Sequence, residues 1–166
     1  MLDRNHCPAG EFEAEFTRIY NQHMKSLPIC NSRLQVRAID FQPYRKHWIG
    51  ALVTPWSILV VLARGEYSTW PDILEGKIAP VTLPAGQFSF LGMKSERLGS
   101  FLSCSLMSPV DPLYNQRAAE NFAARALNLM LSTSSELSEK EKIKPASLPQ
   151  SLSRRDFFSP VPKEVK

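Results

Sequence analysis

Apolar positions along this chain change period several times, and the changes divide it into elements. Over residues 11–25, Phe12, Phe16, Ile19, Tyr20 and His23 recur at helical spacing, which predicts a first helix with one apolar stripe. Gly10 precedes it and Leu27-Pro28 ends it, because a residue before proline avoids the helical region. Strand patterns follow. Residues 34–41 are rich in β-branched and apolar types with rough alternation, and Pro43-Tyr44-Arg45-Lys46 turns the chain. Residues 48–54 set Trp48, Gly50 and Leu52 against Ile49, Ala51 and Val53, so both faces are apolar enough for a central strand. Pro55 cannot donate to a ladder and marks a break before a third strand at 57–63. Residues 68–77 form a connection with one helical turn after Pro71. Strands are then predicted at 78–83, 87–93 and 98–106, separated by the turns Pro84-Ala85-Gly86 and 94–97. Asp111 is placed to cap a last helix with Pro112 at its first position. That helix runs to about Leu131 and carries Ala119, Phe122, Ala123, Ala126, Leu127 and Met130 as its buried stripe.

Helix, antiparallel strands, helix is the order of an α+β two-layer sandwich, with both terminal helices packed on one face of the sheet. Short connections between strands favour hairpins over parallel crossovers. From Ser132 onward serine, proline and mixed charges replace the apolar period, which predicts a disordered tail. The expected organisation is therefore a flexible arm at 1–10, one domain at 11–131 and a tail at 132–166.

Composition narrows the function. The chain has 166 residues, 43% of them hydrophobic, enough for a real core. The net charge of +4 and a pI near 9.1 raise the question of nucleic acid, but no Lys/Arg run exceeds two and acidic residues are interspersed. No nucleic-acid partner is expected. Cys7, Cys30 and Cys104 are odd in number and widely spaced, which argues against a disulfide framework and fits a reducing compartment. Residues 1–13 lack the apolar stretch of a signal peptide, and the run 58–63 is too short to span a bilayer. The expectation is a cytoplasmic protein with no membrane insertion.

Chemistry is sparse. There is no G-x-S-x-G, no phosphate-binding glycine loop and no H-E-x-x-H. His6, His23 and His47 have no metal-ligand spacing, so no metal or cofactor is expected. Cys104 lies in an apolar strand, where burial makes a thiol inert. Glu11, Glu13 and Glu15 crowd a helix start, a place that favours negative charge for structural reasons. No catalytic residue is assigned. The alternative to a binding protein is a metal carrier or redox helper using His6, Cys7, Cys30 and Cys104.

What the chain does concentrate is aromatic and Met residues beside prolines at strand ends. Such side chains suit peptide or protein binding. The candidate binding residues are Trp48, Thr54, Pro55, Trp56, Pro84, Gly86, Phe88, Phe90, Met107, Ser108 and Pro109. Any one of them also reads as plain core packing or turn chemistry.

These segments carry a family resemblance. Trp48-Ile49-Gly50-Ala51-Leu52-Val53-Thr54-Pro55-Trp56 resembles the W-x-G-x-x-(I/V)-T-P-W signature of the HybE/HupJ proteins. Leu83-Pro84-Ala85-Gly86-Gln87-Phe88-Ser89-Phe90 is similar to that family's second block. Phe101-Leu102-Ser103-Cys104-Ser105-Leu106-Met107-Ser108-Pro109 is similar to its third. Met24-x-x-Leu27-Pro28-x-x-Asn31 resembles its entry into the sheet. The resemblance runs from about Phe12 to Leu131. It implies a two-layer α/β fold and a cytoplasmic, non-catalytic chaperone for [NiFe]-hydrogenase maturation. The implied partners are the hydrogenase large subunit, the small-subunit precursor with its twin-arginine export signal, or both. Some relatives carry a rubredoxin-like module with C-x-x-C pairs; this chain has no such pair, so no iron site is implied.

In the tail, Ser153-Arg154-Arg155-Asp156-Phe157-Phe158 resembles the core of a twin-arginine signal, at the wrong end and with no apolar stretch after it. Arg154, Arg155 and Phe157 are therefore candidates for an autoinhibitory tail that occupies the signal-binding site. The plain alternative is a chance match.

Overall fold

The computed structural model describes residues 6–65, 70–133 and 135–136. Helix α1 (Ala9–Ile19) runs directly into a π-helical turn, Tyr20–Met24. Six strands follow: β1 (Arg37–Tyr44), β2 (His47–Val53), β3 (Ile58–Ala63), β4 (Ile78–Leu83), β5 (Gly86–Ser95) and β6 (Gly99–Met107). Helix α2 spans Gln116–Leu131. The strands form one sheet in the order β1-β2-β3-β6-β5-β4, each neighbouring pair antiparallel. Two three-stranded meanders thus join through β3 and β6. Among the described residues no helix is long and apolar enough to cross a membrane.

Strand β3 sets the layers, because successive side chains point to opposite faces. Ile58, Val60 and Leu62 pack with Ala119, Ala123, Leu127 and Met130 of α2. Leu59, Val61 and Ala63 pack with Phe12 and Phe16 of α1, joined by Phe101 and Leu98. The α+β class and the terminal helices agree with the pattern, but the helices take opposite faces instead of sharing one. The reason lies in β2 and β3, whose two faces are both apolar; every residue of β3 is buried, which requires cover on each side. Arg37, on the edge strand, reaches Glu13 of α1 at 4.0 Å and Glu120 of α2 at 3.9 Å, linking the two layers.

Two local expectations are corrected. Helix α2 is capped by Asn115, whose Oδ1 accepts from Ala118 N at 2.8 Å, and not by Asp111. Asp111 closes a turn before the helix instead, its Oδ1 accepting from Leu113 N at 2.8 Å and its carbonyl from Tyr114 N at 3.0 Å. The carbonyls of Asp111 and Tyr114 also accept from the Asn31 side chain, which holds this turn to the segment entering the sheet. The connection after β3 makes no helical turn after Pro71. Ile73 N donates back to the Pro71 carbonyl at 2.8 Å, and the strap then lies over β5, where Glu75 bridges Gly92. A Cβ on Gly92 would sit 2.3 Å from the Leu74 carbonyl oxygen, so only glycine admits the strap.

Both outer strands carry a proline, Pro43 in β1 and Pro80 in β4, and β1 has a register shift between Ile39 and Gln42 with Asp40 at φ 50°. Missing donors and a bulge blunt edges that would otherwise recruit further strands.

Candidate functional site

Antiparallel register gathers four segments at one end of the sheet. Arg37 pairs with Val53 and Ile58 with Met107, which places residues 25–36, 54–57 and 108–114 together. The β4–β5 turn lies at the same end, because β5 runs antiparallel to β6. Thr54 is fully buried. Its Oγ1 donates to the Ser57 carbonyl at 2.8 Å and accepts from Ser57 N at 2.9 Å, while its own N donates to that carbonyl. Pro55 is buried too, and its carbonyl accepts from Asn31 N at 2.7 Å. Thr54 and Pro55 therefore shape the turn from inside, and the candidate contact role does not pass to their side chains.

Trp56 is what this turn presents. Its ring stacks on Phe16 (centroids 6.2 Å apart, planes at 6°) and on Tyr20 (6.2 Å, 12°), one helical turn apart on α1 and the π-turn. Half-buried, it keeps one part against this stack and one part in water. Its carbonyl accepts from Ser108 Oγ at 3.5 Å, which ties the β2–β3 turn to the exposed Ser108-Pro109 step.

The residue that fastens this end together was not among the candidates. Asn31 is 7% exposed. Its Nδ2 donates to the carbonyls of Asp111 (3.2 Å) and Tyr114 (2.9 Å), and its Oδ1 accepts from Arg33 N at 3.0 Å. With its backbone bond to Pro55, this one residue joins three segments. Exposed Leu27, Ile29 and Leu113 sit on the segments it holds, Leu113 at 85% exposure. The only trace in the sequence is the position of Asn31 in the segment entering the sheet.

The other candidates divide. Met107 is half-buried on the α2-side core, opposite Ile58, while Ser108 and Pro109 are exposed and Ser108 bonds the Trp56 carbonyl. Pro84 and Gly86 lie at the same end, but their turn is held to α2, where Ala85 N donates to the Met130 carbonyl at 3.2 Å. Phe90 is fully buried and Phe88 packs on the α2-side core, so neither faces a partner across the Trp56 surface. Trp48 is at the far end of β2, paired with Pro43 and Ala63 and half-buried against the α1-side core. Next to it, a Cβ on Gly50 would meet the Phe41 ring at 2.1 Å, which accounts for glycine in that motif.

Among the described residues, nothing covers the sheet beside the Trp56 stack. On the α1 side, strand alternation lines up Ser103 and Ser105 of β6, Ser89 and Leu91 of β5, and Ile78, Pro80 and Thr82 of β4. Ile78 is 69% exposed; Pro80, Thr82, Ser89 and Ser105 are exposed as well. None of these seven side chains is ionisable. The surface is a neutral floor of small and apolar groups with an aromatic wall along α1.

A charged cluster lies past its lower end. Glu15, 3% exposed, accepts from Arg18 at 2.8 and 2.9 Å and from Ser95 Oγ at 2.8 Å, with Arg97 at 3.7 Å. The Arg18 guanidinium, aided by Ser95, holds this carboxyl down to about 2. Among the described residues no group of three His, Cys, Asp or Glu is placed to hold a metal. Burial pushes the Cys30 and Cys104 thiols up, away from the reactive thiolate, and Cys30 Sγ donates to the Met24 carbonyl at 3.1 Å. His47 is buried, accepts from Gly65 N at 3.0 Å and meets Trp70 edge-on. Arg154, Arg155 and Phe157 lie outside the described residues.

Known proteins share this architecture. The solution structure of HybE from Escherichia coli matches it with a TM-score of 0.61 at 22% identity, over 90% of this chain and 93% of that one. In sequence, the chain is 34% identical over 144 residues to the hydrogenase expression/formation protein HupJ of Bradyrhizobium diazoefficiens, 86% of this chain and 82% of that protein. It is 24% identical over 125 residues to a protein of Rhodobacter capsulatus named probable rubredoxin HupJ, and there it spans only 45% of the longer chain. The family model described as "[NiFe]-hydrogenase assembly, chaperone, HybE" matches residues 7–160. On that match, which takes in both helices, all six strands and most of the tail, the chain belongs to the HybE family of [NiFe]-hydrogenase assembly chaperones.

Proposed function

We propose that this protein is a cytoplasmic, non-catalytic chaperone that holds [NiFe]-hydrogenase subunit precursors during assembly. The observation that carries the reading is the neutral open half-face beside the Phe16–Trp56–Tyr20 stack. A surface without charges accepts an apolar segment at little desolvation cost, and a stacked aromatic beside it supplies an anchor. Among the described residues the half-face has hydroxyls but no acid or base beside them to activate one, which suits a protein that binds and releases its client unchanged. The small-subunit precursor fits this surface best, because an export signal carries an apolar stretch that needs cover until assembly is complete. Blunted edges at Pro43 and Pro80 steer partners to the face and away from strand addition.

The test replaces Ile78 by Glu. The side chain is 69% exposed, so the fold should persist, while a charge enters the neutral floor. Binding of the small-subunit precursor should weaken at least tenfold, as measured by titration calorimetry. Unchanged affinity in a folded variant would remove the half-face from the reading.

A further inference from the structure

Beside its buried stripe, helix α2, with Tyr114 just before it, carries a second apolar row that is only partly covered: Tyr114 and Phe122 lean on the core, and Phe122 and Ala126, expected in the buried stripe, are half-exposed. Ala119, Ala123, Leu127 and Met130 are buried below it. To one side, Tyr114, Ala118, Phe122, Ala126 and Leu129 follow at steps of four, four, four and three. They line a groove of about 450 Å³ with Asn121 and Arg125 on its rim. Tyr114 meets Phe122 edge to face, with centroids 6.1 Å apart, which leaves the groove a firm aromatic end. At the other end Leu129 is 51% exposed.

The chain itself supplies an occupant. It continues from Glu136 to Lys166, and the family match continues with it to residue 160, so most of that stretch belongs to what the family shares. Within it, Leu152 and Phe157-Phe158 bracket the charged step Arg154-Arg155-Asp156. Reach is ample. The groove between Ala118 and Leu129 is ~17 Å long at the helical rise, and the chain from Glu136 to Phe157 extends to ~70 Å. Asp156, beside the two phenylalanines, is opposite in sign to Arg125 on the rim and can pair with it, while Arg154 and Arg155, of the same sign as Arg125, must point to solvent.

We propose that residues 152–158 dock in this groove, with Phe157 and Phe158 beside Phe122 and Leu129 and Asp156 facing Arg125. The segment then covers the outer side of α2, on the face of the sheet opposite Trp56. The twin-arginine resemblance would instead put the same residues at the Trp56 surface, so the two placements are separable. The proposal does not depend on the identity of the client.

The experiment places the photo-reactive residue p-benzoylphenylalanine at position 157 of the full chain, irradiates it and maps the cross-linked peptides. The expected result is an intramolecular cross-link to residues 114–129. Leu129→Glu should abolish it and Arg125→Glu should lower its yield several-fold, with thermal unfolding unchanged in both, since each site is on the surface. Cross-links to Tyr20 or Trp56, cross-links only between two copies, or no intramolecular product would each overturn the proposal.

Discussion

Replacing Asn31 by alanine should loosen the whole Trp56 end of the sheet, and the cost follows from its bonds. The side chain donates at 3.2 and 2.9 Å to two carbonyls and accepts at 3.0 Å from Arg33 N, all at a site 7% exposed. Each such bond is worth about 1 kcal/mol net, and a buried partner left alone costs more. The Asp111 carbonyl keeps its bond from Tyr114 N, so the expected loss is about 2–3 kcal/mol. In urea, with a slope of about 1–3 kcal/mol/M, the midpoint should fall by roughly 1–2 M at unchanged slope. Asn31→Asp is the sharper test. It keeps the acceptor but turns a second carboxylate oxygen towards two carbonyl oxygens, so at pH 7 it should cost more than alanine. Burial against those oxygens raises this carboxyl in the folded state, so the penalty should shrink as pH falls and protonation restores one donor. An alanine cost below about 0.5 kcal/mol, or an aspartate milder than alanine at pH 7, would refute the role given to Asn31.

Three further outcomes are expected. Glu15 is held at about 2 in the folded protein against an ordinary 4.5, so its contribution is complete above pH 4.5 and is lost as pH falls towards 2. The shift alone would amount to ~3 kcal/mol. Arg18 and Arg97 reach it from solvent, so Glu15→Gln should cost about 1–2 kcal/mol at pH 7, with the gap to wild type closing by pH 2–3 in acid-unfolding curves. Gly50→Ala drives a methyl into the Phe41 ring and should cost about 1–3 kcal/mol by thermal unfolding, a loss that Phe41→Leu in the same chain should partly restore. Iodoacetamide at pH 7.5 should modify Cys7 well ahead of Cys104 in the native protein by peptide mass mapping; rapid modification of Cys104 would contradict its burial and revive the redox-helper reading.

Much of the fold was legible because each element keeps its own period. Phe12 and Phe16 marked α1, the alanines at 119 and 123 marked α2, and six apolar runs marked six strands. The opposite placement of the helices was also present, in the doubly apolar β2 and β3, but class-level expectation favoured one face. Capping misled because Asp111-Pro112 and Asn115 are equally good local signals, and the choice was made by Asn31, 80 residues away. The site was half legible for a related reason. The T-P-W run locates a turn, but burial of Thr54 and Pro55 and exposure of part of Trp56 depend on Phe16 and Tyr20 arriving from another element. Phe88 and Phe90 alternate as a strand should, yet alternation does not say which face meets α2. The neutral half-face is made by residues from three strands, none of them notable alone.

Binding of the full chain to a hydrogenase small-subunit precursor, with and without its twin-arginine signal, and to the large subunit tests the central claim most directly. The account predicts weak to moderate, signal-dependent binding to the small-subunit precursor. Trp56→Ala should weaken it by about thirtyfold, the equivalent of ~2 kcal/mol at an aromatic hot spot, in a variant that still unfolds cooperatively. Binding to neither subunit, or an unaltered affinity in folded Trp56→Ala, would contradict it.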